Sequence, residues 1–178
     1  MSEDITPATL LVTEYESLKR EQAARIGTRD NLVYAVLAAM GLVGLRVGAD
    51  ARLLLLLPPA VVALGWTRVA NDIKVTHIGC YVRDELAVRL GAVTGEAVFG
   101  WEHAYRTNTR RLLRKICQMV ADLLLFTVAP LTALVIFWWN GSGTVGLLIV
   151  SVGEALLVAG LGAVIVTYSG VFRWLAKG

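Results

Sequence analysis

Four runs of apolar residues constrain this chain more than any other feature. They are residues 32–48, 53–70, 119–139 and 144–168. The first two hold 17 and 18 residues, with Arg46 and Arg68 as their charges near one end. That is the lower limit for crossing a hydrocarbon core of about 30 Å, and an arginine near a helix end can extend its head to the lipid headgroups. The third run holds 21 residues, about 31 Å of helix, and closes on Trp138 and Trp139, a pair suited to the membrane interface. Apolar residues make up 56% of the chain and charged residues only 17%, whereas a soluble domain carries about 25% charged. Together these features argue against a disordered chain and an ordinary soluble enzyme. They predict an all-α integral membrane protein, with four transmembrane helices arranged as two hairpins and amphipathic helices in the cytoplasm.

The links between the runs support the hairpins. Ala49 to Arg52 is too short for anything but a tight turn, and Asn140 to Gly143 is a short uncharged one. Pro58 and Pro59 are expected to kink the second run, and Pro130 to bend the third near its middle. The organisation expected is a cytoplasmic amphipathic helix in 1–30, a first hairpin in 31–70, a cytoplasmic helical segment in 71–116, a second hairpin in 117–168, and a cytoplasmic tail in 169–178. In the first segment a helix over 6–27 would be capped by Thr6 and ended by Gly27. The first ten residues lack the basic and apolar regions of a signal peptide, so the first membrane helix is expected to act as the insertion signal. In the middle segment Ile78, Val82, Leu86 and Leu90 recur every four residues and make one apolar stripe. Asn71 or Asp72 would begin that helix and Gly91 would stop it. GAVTGEAVFG, residues 91–100, reads as a turn or short loop. A second helix is expected from near Trp101, with Trp101, Tyr105, Leu112 and Ile116 on one face, running on into the third apolar run.

Charge fixes the expected orientation. Of 17 Lys and Arg residues, four precede the first run and nine lie from Arg68 to Lys115. Two, Arg173 and Lys177, lie in the tail, and two, Arg46 and Arg52, flank the first turn. The positive-inside rule therefore places both termini and the middle segment in the cytoplasm, fifteen basic residues against two. Four crossings also return the chain to its starting side.

Glu154 is the most informative single residue. It lies about 15 Å into the fourth run, near the midplane, where an acidic side chain costs roughly 2.5–3.5 kcal/mol. It is expected to face protein or water, with its protonation state open. One reading is a pore-lining or proton-relay carboxylate, the other a hydrogen bond that fixes assembly with a neighbouring helix. Ser151, Ala155, Ala159, Ala163 and Thr167 form a ridge of small residues along the same helix, which admits close approach of another helix. Asp122 sits early in the third run, about 10 Å from Glu154 in height. It is expected to meet Arg114, Lys115 or Arg68 near the inner interface rather than Glu154. The basic run Arg110, Arg111, Arg114 and Lys115 is a positive-inside flank, or a contact for anionic headgroups.

Signals of catalysis are lacking, and no enzyme activity, cofactor or nucleic-acid partner is expected. There is no phosphate-binding loop. His77 and Cys80 have ligand-like spacing without a second pair, so a zinc site is not expected. Cys80 and Cys117 are too few for a disulfide framework and are expected to be reduced thiols.

The segments IGTRDNLVYA, ANDIKVTHIGCYVRDEL and FGWE lie within residues 14–45 and 64–102. In these the chain resembles a family of small bacterial membrane proteins of unassigned activity. Its layout of helix, hairpin and cytoplasmic helix is also similar to that of the SLATT-type membrane effectors of bacterial nucleotide-signalling immunity. That resemblance implies an inner-membrane homo-oligomer that permeabilises the bilayer when a cytoplasmic sensor protein signals infection. The alternative is a non-conducting anchor or scaffold that recruits a cytoplasmic partner.

Overall fold

The computed structural model describes residues 6–46, 48, 50–96, 98, 111–139 and 143–169, and among them no strand occurs. Four helices carry the described residues. Helix α1 is Pro7–Arg46 and α2 is Ala51–Thr94. Helix α3 runs from Arg111 to Trp139, and α4 is Val145–Tyr168. Three helices are long and apolar enough to cross a membrane: α2, α3 over Leu113–Trp139, and α4. The apolar run of α1 is the shortest of the four and is bounded by Arg29 and Asp30 on one side and Arg46 on the other.

Two expected helix ends are corrected. α1 passes through Gly27 without a break, and α2 passes through Asn71 and Asp72 rather than restarting there. A glycine stops a helix when the backbone turns left-handed at it, and Gly27 stays helical. The stop expected at Gly91 falls one turn later. Gly95, at φ +75°, adopts the left-handed conformation and its N–H donates to the Gly91 carbonyl at 2.9 Å. The stretch expected as a helix from Trp101, up to residue 110, lies outside the described residues, as do 140–142 and 170–178.

Both proline sites fall at changes of helix geometry. Ala51–Leu56 is a 3-10 helix, capped by Asp50, whose carboxylate accepts from the Arg52 N–H at 2.9 Å. α-Helical geometry begins at Leu57. Pro58 and Pro59 thus occupy the first turn of that α-helical geometry, where proline is best tolerated. Pro130 is preceded by a π turn, Leu124–Val128, in which the Ala129 N–H reaches back five residues to the Leu124 carbonyl. A proline ring clashes with the carbonyl four residues before it, here that of Phe126. The wider turn moves that carbonyl aside.

The chain divides into two compact units, Met1–Thr28 with Asn71–Arg111, and Arg29–Ala70 with Leu112–Gly178. In the first unit, Tyr81 donates its hydroxyl to Glu14 at 2.7 Å and Arg25 donates to Asn71 at 3.2 Å, which ties α1 to α2. The expected stripe is turned inward: Val82, Leu86 and Leu90 are buried and Ile78 is half-buried. A spacing of four residues drifts around an α-helix of 3.6 residues per turn. A second π turn, Val82–Leu86, lies within the stripe. By advancing less per residue, it holds the four positions on one face.

The second unit has the larger apolar core, built from Val36, Leu54, Val61, Phe126, Phe137 and Leu161 with their neighbours. Three of its helices meet at Gly65. A methyl group there would lie 2.6 Å from a Leu161 methyl and 2.8 Å from the Phe126 ring, so α2, α3 and α4 converge on a position that admits only hydrogen. Gly162 plays the same part between α4 and α3, with Thr127 Oγ1 2.9 Å from where a Cβ would stand.

Candidate functional site

Polar groups inside the second unit fall into two sets, one partnered and one not. Arg68 is 8% exposed. Its Nη2 lies 2.6 Å from Asp122 Oδ1, and its Nη1 donates to the Arg29 carbonyl at 3.3 Å. The guanidinium carbon stands 5.7 Å from the centroid of the Phe126 ring. One face and the edge of the cation are thus used, since an aromatic face attracts a cation and the edge holds the carboxylate and carbonyl. Of the three partners the sequence offered to Asp122, the structure brings Arg68 within ion-pair distance. The pair joins α2 to α3 two residues before the π turn that carries Phe126.

The second set consists of side-chain oxygens that are buried without a hydrogen-bond partner. Among the described residues these are Thr127 Oγ1, Ser151 Oγ and Glu154 Oε2. Glu154 sits nine residues past Val145, about 14 Å along a 24-residue helix that contains no other charged side chain. A buried polar atom left unpaired costs about 1–3 kcal/mol. In a bilayer the surrounding tails cannot supply the bond.

The small-residue ridge is split by the fold. Ser151 is 5% exposed and Ala155 is half-buried, both turned toward α3, whereas Ala159, Ala163 and Thr167 are exposed. The buried face of α4 is instead Ser151, Val158, Leu161, Gly162 and Ile165. The expected close helix contact within the chain therefore forms at Gly162 and Leu161, a position to one side of the ridge.

Between α3 and α4 a groove of about 510 Å³ opens near the Trp138–Trp139 end. Leu134, Trp138 and Trp139 face Leu148, Ser151 and Ala155 across it. Trp138 packs directly over Gly143, leaving no room there for a side chain, and meets Phe137 edge-on at 5.5 Å. Ser151 places the one hydroxyl among these six lining residues.

The basic flank is described in part. Arg114 and Lys115 are exposed at the start of α3. Arg110 and the side chain of Arg111 lie outside the described residues. In the first unit the half-buried guanidinium of Arg83 is forked onto Asp84 at 2.6 and 2.5 Å, and this pairing raises its pKa further above the ordinary arginine range.

Sequence reasoning singled out Glu154, Ser151 and Asp122, and Gly162 as thinning the fourth helix, but gave no role to Gly65, Thr127 or Phe126. Gly65 interrupts a run rich in leucine and valine, and a glycine in such a run signals close backbone approach. Comparison of the chain with protein-family models, with curated proteins and with solved structures gives no match.

Proposed function

We propose that this chain is a homo-oligomeric protein of a bacterial inner membrane, crossed four times as two hairpins, with both termini and the middle segment in the cytoplasm. In this reading it is a pore-forming or membrane-disrupting effector, triggered through its cytoplasmic helices by a separate sensor protein. The observation that carries the reading is Glu154, whose Oε2 is buried and unpartnered within the protomer, midway along an apolar helix. A group with that cost and no internal partner is accounted for by a neighbouring copy or by a water-filled path between copies. Exposure of Ala159, Ala163 and Thr167 on the same helix supports close approach of a second copy. The fourth crossing, by the apolar end of α1, is supported by the fifteen-to-two charge asymmetry.

The test is dye or ion release from liposomes carrying the purified oligomer, with Glu154→Gln and Glu154→Leu beside it. Release by the wild type, altered by Glu154→Gln, is the expected result. Glu154→Leu should also lower the oligomer mass in crosslinking. Equal assembly of Glu154→Leu would sink the idea that Glu154 organises subunits. Absence of release with every candidate trigger would favour the second reading, a non-conducting anchor. That reading has its own support: the segments Met1–Thr28 and Asn71–Arg111 form a compact unit with its own internal hydrogen bonds, suited to recruiting a partner.

A further inference from the structure

We propose that α3 has two registers about its π turn, and that the Arg68–Asp122 ion pair is the latch that holds the one seen here. In the second register α3 is regular helix through residues 124–128, and residues 112–123 are rotated away from Arg68.

A turn closed by an i→i+5 bond holds one residue more than a regular one, so what precedes it is rotated by roughly 100°. α3 carries such a turn at Leu124–Val128. Asp122 and Pro130 are eight residues apart. In a regular helix they would point about 80° apart, and the extra residue brings them within about 20°. Asp122 thus shares a face with Phe126 and Pro130, both buried, and on that face it meets Arg68 at 2.6 Å. The Arg68 guanidinium also stands 5.7 Å from the centroid of the Phe126 ring. It therefore holds both the residue before the turn and the ring within it.

This register leaves two requirements unmet. Thr127 lies in the turn, and its Oγ1 is buried without a partner. Elsewhere in this unit Thr67, Thr132 and Thr167 donate their hydroxyls to the carbonyl four residues back, at 2.8–2.9 Å. A regular turn would bring the Leu123 carbonyl to that place for Thr127. The other requirement is apolar burial. In a regular helix Ile116, Met119 and Leu123 would lie within about 40° of Pro130, in line with Leu134 and Phe137. The extra residue turns the three roughly 80–140° away from Pro130. They are half-buried, whereas Pro130, Leu134 and Phe137 are buried. A regular helix would thus satisfy Thr127 and the apolar stripe. The π turn instead frees the Pro130 ring from the Phe126 carbonyl and delivers Asp122 to Arg68. Two packings with opposed merits are the condition for a two-state element. In the effector reading, a trigger would act by turning residues 112–123.

The experiment measures one distance in the full chain in detergent micelles, so its outcome is separate from whether liposomes release dye. With Cys80→Ser and Leu56→Cys, spin labels sit on the native Cys117 of α3 and at position 56 of α2, both exposed. A rotation of about 100° moves the end of a side chain by about 8 Å on a helix 10–12 Å across, which pulsed electron resonance resolves. The labelled chain should give one distance. Asp122→Asn should add a second, displaced by about 4–8 Å. Pro130→Ala removes the ring but not the pair, and should add the same second distance. Thr127→Val, made in the Asp122→Asn chain, should diminish it, because the hydroxyl that gains from a regular turn is gone. An unchanged single distance in Asp122→Asn would overturn the latch, and in Pro130→Ala as well would overturn the second register. A broad distribution without a second maximum would also overturn it, showing a frayed helix end instead. A second distance undiminished by Thr127→Val would overturn the balance set at that hydroxyl.

Discussion

Truncating Asp122 to Ala should destabilise the chain through Arg68, and the structure sets the size of the effect. Arg68 is 8% exposed and its carboxylate partner stands 2.6 Å away, so the mutation strands a cation that water scarcely reaches. Removing one member of a buried pair costs about 3–5 kcal/mol. Two features lower that here. The Arg29 carbonyl and the Phe126 ring remain as partners, and the Asp122 side chain keeps 17% of its exposure. The expected loss is therefore about 2–3 kcal/mol, roughly 30- to 150-fold in the unfolding constant.

The reverse truncation, Arg68→Met, should also be destabilising because it removes the buried cation that Asp122 faces at 2.6 Å. The double variant Arg68→Met/Asp122→Leu should cost less than the sum, since paired charges replaced together by apolar groups of similar volume are often neutral. The assay is reversible unfolding in mixed micelles by titration with a denaturing detergent, run as a double-mutant cycle. Neutral hydrogen bonds between membrane helices give coupling of about 0.6 kcal/mol, so a coupling above about 1 kcal/mol is needed to identify a buried ion pair. Coupling below about 0.5 kcal/mol, with Asp122→Ala costing under about 1 kcal/mol, would refute the argument that the pair locks α2 to α3.

Three further outcomes follow from the packing and the charges. Gly65→Ala puts a methyl 2.6 Å from Leu161 and 2.8 Å from Phe126, and should cost about 1–3 kcal/mol in the same titration, with Leu161→Ala in the same chain recovering part of the loss; additive losses would show that the two do not collide. Gly162→Ala should behave likewise against Thr127, and Thr127→Ala, which removes the crowding oxygen and methyl, should relieve it. Tyr81 has its pKa raised, first by its hydrogen bond to Glu14 and then by burial and by the Glu14 charge. A raised folded pKa means that this contribution is complete below the unfolded tyrosine value of about 10 and fades as pH rises through the folded one. Melting curves of wild type and Tyr81→Phe should therefore converge at high pH, and a constant gap from pH 8 to 11 would contradict the linkage.

The parts legible in the sequence were those in which every residue of a segment carries the same message. Residues 119–139 and 144–168 are apolar on all sides, end on paired tryptophans or a glycine-rich turn, and both form helices of membrane length. The stripe from Ile78 to Leu90 was legible because burial repeats at a fixed spacing. Boundaries resting on one residue were not. Gly27 and Asn71 resemble helix ends, yet a single unfavourable residue costs only about 1 kcal/mol in a helix and longer packing overrides it. The π turns were also hidden, since an extra residue in a turn leaves no mark in composition. For the candidate site, Asp122 and Glu154 stood out as charges in apolar surroundings, but Gly65 and Thr127 acquire meaning only from what packs against them.

The two acidic residues that looked alike in sequence end in opposite situations, and the contrast separates architecture from function. Asp122 meets Arg68 inside the protomer, beside a cation already held by a carbonyl and an aromatic face. Its energetic requirement is met by the fold, so its loss should appear as instability. Glu154 and Ser151 present oxygens for which the protomer supplies no hydrogen. They lie on a helix whose neighbours at Gly162 and Leu161 are already packed, so moving the helix to satisfy them would break those contacts. On the proposed reading, the cost at Glu154 that the fold cannot relieve internally is relieved from outside, by another copy or its water. Variants at Glu154 should therefore alter assembly or release while leaving unfolding nearly unchanged, the reverse of the pattern expected at Arg68 and Asp122.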